Sequence, residues 1–298
     1  MKKITLFIAS LFLFANCSNS EAEFDATGNF EADEIIVSSE ANGEIQKWEL
    51  QEGSSVTEGQ VLALIDTTAL HLQKRQLMAQ IAVAESHTQG VAQQTAALRA
   101  TLGNLYYEEK RLKKLLAANA ATRKQIDDIN FQIIHTKEQL VALQDKLEDA
   151  NESVRREVRA LELQIEQIDL KIDKAVVQSP IAGRILQTYS FKGELAAAGK
   201  PLFKVAALDP IYLRAYVSGD QLAQIKLDMP VQVLTDNGDG DMHQAEGRIS
   251  WISDQSEFTP KSIQTKDERA NRVYAIKVRL PNDGRYKIGM YGEVKWTD

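Results

Sequence analysis

The residues that most often do chemistry are sparse in this chain and badly spaced for it. The four histidines, His71, His87, His135 and His243, are scattered, and no pair has metal-ligand spacing. No Ser/His/Asp grouping stands out. The five methionines do not cluster, which leaves a soft-metal relay without support. Thr235, Asn237, Asp239 and Gly240, followed by Glu246, imitate a calcium loop, but the first ligand is Thr and the flanks read as strands. The segment Asn237-Gly238-Asp239-Gly240 is better read as a solvated turn between strands. The only cysteine, Cys17, rules out an internal disulfide. We expect no catalytic residue, no metal, no cofactor and no enzyme activity. The informative residues are those that build elements.

The first such element is a repeat. Residues 37–65 and 177–205 align without a gap, 140 positions apart. Val37, Ser39, Gly43, Ile45, Gly53, Gly59 and Leu62 fall on Val177, Ser179, Gly183, Ile185, Gly193, Gly199 and Leu202. Neither copy is long enough to bury a core alone. Together they predict one small β-domain in two halves, with Gly43, Gly53, Gly183 and Gly193 as turn glycines.

The segment between the halves is proline-free and poor in glycine. Apolar residues recur every seven positions at Leu70, Leu77, Ala84, Val91, Leu98, Leu105 and Leu112. They recur again at Ile126, Ile133, Leu140, Leu147, Val154, Leu161, Ile168 and Ala175. A seven-residue period sustained this long is a coiled-coil signal. The second stripe is filled out by Ile129, Leu143, Val158, Ile165 and Ile172, whereas Thr88, Thr95 and Glu109 interrupt the companion positions of the first. The stripes mirror about Asn119, so two arms of roughly 50 residues, each about 75 Å long, would fold back there, with Thr122 capping the second. The charge runs along the arms read as solvated faces.

After the second half-repeat, residues 211–217 alternate as a half-buried strand, and further strands are expected at 230–235, 246–252, 272–280 and 291–296. These, with a strand from before the first repeat, predict a small antiparallel β-barrel. The formal net charge of −7 argues against a nucleic-acid surface. At the N-terminus, Lys2 and Lys3 precede an apolar run from Ile4 to Phe14, which fits an export signal and falls short of the roughly 20 residues of a membrane span.

A split β-domain holding a long helical hairpin, followed by a β-barrel in an exported chain, resembles the periplasmic adaptor subunits of bacterial efflux and secretion systems, the membrane fusion or HlyD-type proteins. The half-repeats are similar to that family's lipoyl/biotinyl-like half-motifs, and the resemblance covers residues 28–298. It implies an elongated α+β fold: signal peptide 1–16, lipidated tether 17–27, an N-terminal strand 28–40 joining the barrel, half-domains 41–66 and 176–206, hairpin 67–175 and barrel 207–298. The stretch Leu13-Phe14-Ala15-Asn16-Cys17 resembles a lipoprotein processing site, implying a lipid anchor on Cys17. The hairpin stands where the family's carrier relatives place a cofactor-bearing lysine. The nearest lysines, Lys74, Lys171 and Lys174, lie on predicted helices, so no cofactor is implied.

The resemblance also implies partners. Arg111, Leu115 and Thr122 match the spacing of the family's Arg, Leu and Ser, which meet a TolC-like outer-membrane channel, with Thr in place of Ser. Asp127 stands where the family often has Asp. Residues 254–294, above all Phe258-Thr259-Pro260 to Arg269, are most similar to adaptors of ABC-type exporters. The expected protein bridges an inner-membrane transporter to an outer-membrane channel in the periplasm of a Gram-negative bacterium. By the same resemblance it self-associates, often as a hexameric ring. A scaffolding coiled-coil lipoprotein and an adaptor of a proton-driven RND-type pump are the alternatives.

Overall fold

The computed structural model describes residues 24–238, 242–258 and 272–296. Cys17, the export signal, part of the Asn237–Gly240 turn and the stretch from Thr259 to Arg269 lie outside the described residues.

The two half-repeats form one β-sandwich. The first contributes β2 (Glu34–Ser38), β3 (Gly43–Trp48), β4 (Ser55–Val56) and β5 (Val61–Ile65). The second contributes β6 (Val176–Gln178), β7 (Gly183–Thr188), β8 (Leu195–Ala196) and β9 (Pro201–Ala206). Each sheet mixes both halves, in the orders β2-β9-β7-β4 and β6-β5-β3-β8. Ile45, Leu62, Ile185, Leu202, Phe203 and Val205 are buried together between them. The halves also exchange backbone hydrogen bonds across a local pseudo-symmetry. The Gly53 N–H donates to the Ile185 carbonyl at 2.8 Å, and its counterpart Gly193 to Ile45 at 2.9 Å. Gly59 donates to Ser179, and Gly199 to Ser39, each at 2.8 Å. Each of these turns is thus tied by a backbone bond to the other half.

The four repeat glycines expected at turns divide into two kinds. Gly53 and Gly193 have φ of +84° and +86°, the left-handed region that favours glycine. Gly43 and Gly183 instead open strands. A Cβ on Gly183 would lie 2.3 Å from the Ala206 carbonyl oxygen, and one on Gly43 would lie 2.9 Å from that of Asp66. There the requirement is close approach of neighbouring backbone.

The barrel closes in the order β1-β10-β13-β12-β11-β14, with β1 (Ala26–Glu31), β10 (Ile211–Ser218), β11 (Pro230–Asp236), β12 (Met242–Phe258), β13 (Arg272–Leu280) and β14 (Tyr291–Trp296). Strand β1 pairs with both β10 and β14. The single strand expected over 28–40 is therefore two strands with different partners: β1 completes the barrel, whereas β2 pairs with β9 in the sandwich. On β10 the alternation is complete, with Ile211, Leu213, Ala215 and Val217 buried and Tyr212, Arg214 and Tyr216 on the outer face. Phe30 stacks on Tyr286 at 4.7 Å between ring centroids and closes one part of the core. Burial pushes the Tyr286 phenol above its ordinary pKa. Thr235 is buried in β11, which places the first residue of the calcium-like pattern inside a strand.

Between the half-domains runs the antiparallel hairpin. Its second arm is one helix, α3 (Arg123–Asp173), 51 residues long. Its first arm is not continuous. Helix α1 (Thr68–Ser86) ends, four residues intervene, and α2 (Val91–Ala117) begins. Asn151 of α3 holds the break by hydrogen bonds in both directions. The Gln89 N–H donates to its Oδ1 at 2.7 Å, and its Nδ2 donates to the Gln89 carbonyl at 3.0 Å. The heptad positions Leu77 and Ala84 below the break and Val91 and Leu98 above it are all buried or half-buried. Thr95, expected to interrupt the seam, is fully buried in it, because its hydroxyl donates to the Val91 carbonyl at 2.7 Å.

Candidate docking site at the hairpin tip

The turn between α2 and α3 is built by backbone geometry and one capping residue. Asn119 adopts a left-handed conformation with φ +54°. Its N–H donates to the Leu116 carbonyl at 3.0 Å, and the Ala120 N–H donates to the Leu115 carbonyl at 2.8 Å. This is a Schellman-type helix stop, with Asn in the position glycine usually takes. Thr122 then starts α3 with a capping box. Its Oγ1 accepts the Gln125 N–H at 3.3 Å, while its own N–H donates to Gln125 Oε1 at 2.8 Å. The reversal is thus tight without proline or glycine.

Arg111 and Leu115 lie on α2, Thr122 is the N-cap of α3, and Asp127 lies in its second turn. Arg111 is exposed and sits 3.4 Å from Glu108 of its own helix, a weak surface pair that leaves the guanidinium available. Leu115 is half-buried, and its carbonyl also closes the turn. Thr122 is exposed, and its hydroxyl both accepts the Gln125 N–H and lies 3.1 Å from Gln125 Oε1. Asp127 is exposed and forms no ion pair with Arg111 among the described residues. The arrangement offers a fork of hydrogen-bond donors, a hydroxyl and one apolar side chain on a narrow end. That set suits recognition of polar groups on a protein surface and has no reacting geometry.

Sequence reasoning missed the charge of this end. Residues 110–124 contain six basic side chains, Lys110, Arg111, Lys113, Lys114, Arg123 and Lys124, and no acidic one, while Glu108, Glu109, Asp127 and Asp128 flank them and Glu108 and Glu109 pair with Arg111 and Lys113. Counting charge in windows would have found it. In general, a basic end on an acidic molecule favours encounter with acidic surfaces.

Ion pairs also occur at the opposite end, where the hairpin meets the sandwich. Lys74 of α1 bridges Asp169 of α3 at 2.6 Å, and Lys174 reaches Glu40 at 3.1 Å. Two of the lysines nearest to a carrier position are therefore engaged in holding the hairpin base. Asp66 accepts the Thr68 hydroxyl and N–H at 2.6 and 2.9 Å where α1 starts, and those bonds hold its carboxyl below the ordinary range. Among the described residues no group of three or more histidine, cysteine or carboxylate side chains could hold a metal, and no helix is long and apolar enough to cross a membrane.

Comparison with known proteins agrees with this architecture. The family profile described as "RND MFP, barrel-sandwich hybrid domain" matches residues 33–208. The chain is 23% identical over 293 residues to a UPF0194 membrane protein of Citrobacter koseri, covering 91% of this chain and 88% of that protein. It is 25% identical over 299 residues to one of Yersinia enterocolitica, covering 93% and 90%. Among solved structures, MacA of Actinobacillus actinomycetemcomitans superposes with a TM-score of 0.53 at 19% identity, covering 91% of this chain and 76% of that one. A membrane fusion protein of Streptococcus pneumoniae R6 gives 0.52 at 16% identity, covering 91% and 98%. These two likenesses concern the fold. The profile spans more than half of the chain, from the sandwich through the hairpin and back. The chain belongs to the membrane fusion protein family: it is a non-enzymatic periplasmic adaptor of the kind that serves efflux systems.

Proposed function

We propose that this adaptor links an inner-membrane transporter of the ABC type to a TolC-like outer-membrane channel. The hairpin tip is the channel-docking element. Arg111 and Thr122 hydrogen-bond polar groups at the channel's helical ends, Leu115 fills a gap between them, and Asp127 sets the charge of the flank. The observation that carries this reading is the basic tip itself, rigidly capped and exposed at the far end of two long arms. A lipid on Cys17 holds the base at the membrane, the barrel docks on the transporter, and several copies pack into a ring, six by the family's habit.

The family profile's own description names RND-type systems, and this favours a proton-driven pump as the second reading of the transporter. Crosslinking followed by purification of the native complex separates the two: an ATP-hydrolysing subunit in the complex supports the ABC reading, and its absence beside a large proton-driven permease overturns it. Mass spectrometry of the mature N-terminus tests the anchor, which requires a diacylglyceryl-modified Cys17. The docking claim is tested by Arg111→Asp in a deletion strain. Loss of restored efflux or secretion, with normal amounts of adaptor, is the expected outcome. Full restoration would remove the main support for docking through this tip.

A further inference from the structure

The rim of the barrel carries an arrangement that folding alone does not explain. Arg248 on β12 and Arg279 on β13 are paired directly opposite each other in the strand register. Like charges in that relation repel and weaken the strand pair. Both side chains are exposed. The nearby cations are neutralised: Lys277 bridges Glu31 at 2.6 Å, and Arg214 bridges Glu257 at 2.7 Å. Arg248 has only a hydrogen bond from Nη1 to the Asp228 backbone carbonyl, at 3.1 Å, and Arg279 has no ion pair among the described residues.

Arg248 and Arg279 are both among the residues that line a cleft of about 560 Å³, with Asp209, Asp228 and Glu246. None of these three carboxylates forms an ion pair with either arginine among the described residues. A guanidinium fork matches a carboxylate or phosphate group, which accepts two parallel hydrogen bonds from it, and a second guanidinium beside it adds further donors. The lining carries three formal negative charges against two positive, so the cleft as a whole does not attract anions, and binding rests on hydrogen bonds from the two guanidinium forks to one small group. Asp209 also accepts the Asn282 N–H at 3.1 Å, and Asn282 Nδ2 donates to the Leu208 carbonyl at 2.9 Å. The cleft therefore abuts the connection between sandwich and barrel.

We propose that Arg248 and Arg279 form a binding site for a small oxyanion, a phosphate or carboxylate group, at this rim. The site goes beyond the docking role of the tip and shares no residue with it. The test is titration of the full-length protein with inorganic phosphate and with acetate, each against sodium chloride of equal ionic strength, read by calorimetry and by Tm. Saturable binding of phosphate or acetate with a rise in Tm is expected in the native chain. Affinity should fall roughly tenfold in Arg279→Gln and likewise in Arg248→Gln, as one charge-assisted donor set is lost. Without added anion, Arg279→Gln should unfold at the same temperature as the native protein or higher, since the like-charge repulsion is gone; this also shows that the variant folds. Arg279→Lys should retain only part of the affinity, because the charge stays and the fork does not. The proposal is overturned if neither anion gives saturable binding, if chloride gives the same effect, or if the glutamine variants bind as the native chain does.

Discussion

The two arms of the hairpin span nearly the same number of residues and are built differently. The second is one 51-residue helix that buries Ile129, Ile133, Thr136, Leu147 and Ile168. The first is two helices of 19 and 27 residues, and the side chains it buries completely enough to count as core are Leu77, Ala84 and Thr95. Four of the buried large aliphatic side chains, Ile129, Ile133, Leu147 and Ile168, are thus on the continuous arm, and one, Leu77, is on the broken arm. The difference teaches that α3 acts as the template on which α1 and α2 dock. Length and direction are set by the arm without a break. The broken arm conforms to it and is held at its gap by one polar side chain, Asn151.

That asymmetry can be broken at its strongest point first. Ile133→Ala should cost about 2–5 kcal/mol in urea unfolding, the range for a large core side chain cut to alanine. Leu98→Ala on α2, at a half-buried position, should cost clearly less. Equal costs would show that neither arm is the template. Next, Asn151→Ala removes both bonds at the gap and leaves the Gln89 amide and carbonyl to find water, costing about 1–3 kcal/mol. Hydrogen exchange should then quicken at residues 87–90 while mid-α3 amides keep their protection. Loss of protection along the whole of α3 would mean that the break holds the template, rather than the reverse.

Smaller effects sharpen the picture at the tip and with pH. Thr122→Ala should cost about 1 kcal/mol, and Thr122→Ser almost nothing, because a serine hydroxyl caps equally well. The same pair of variants separates capping from docking: a serine variant that is stable yet fails in efflux would show that the methyl group contacts the partner. Beside the gap, Arg155 and Arg156 hydrogen-bond Glu152 and hold its carboxyl below the ordinary range. A lowered carboxylate pKa contributes stability that is present above the unfolded value and lost as pH falls through the folded one. Helicity near the gap should therefore decline slightly below about pH 4, where an unperturbed glutamate takes up its proton. Glu152→Gln should flatten that decline. A decline unchanged by the substitution would place the sensitivity elsewhere, for example at Asp66.

Much of this architecture is readable from residue spacing. The gapless repeat exposes the sandwich because each turn glycine answers one in the other half, and the structure pairs them through exchanged backbone bonds. The heptads expose the hairpin because both stripes turn inward. The same heptads conceal the break. Ala84 and Val91 are one repeat apart whether or not the backbone between them is helical, so periodicity cannot register the gap, and Gly90 is the local hint. Thr95 misled for a related reason: a threonine counts as polar in a pattern, yet it can satisfy its hydroxyl on the preceding turn and pack as an apolar residue. The strand expected over 28–40 concealed its division, because composition does not say where a chain passes from one sheet to another. Arg111, Leu115 and Thr122 were legible only by resemblance. The turn that presents them depends on Asn119 in a left-handed conformation, which a sequence pattern does not specify.

The central claim is that the tip meets the channel. A photo-crosslinking residue placed at exposed Ala120, and another at exposed Val83 on α1, would test it in cells that make the full chain with its partner transporter and channel. The account predicts an adduct with an outer-membrane channel protein from position 120, none from position 83, and loss of the first on adding Arg111→Asp. An adduct from position 83 but not from 120, or one from 120 that Arg111→Asp leaves untouched, would contradict it.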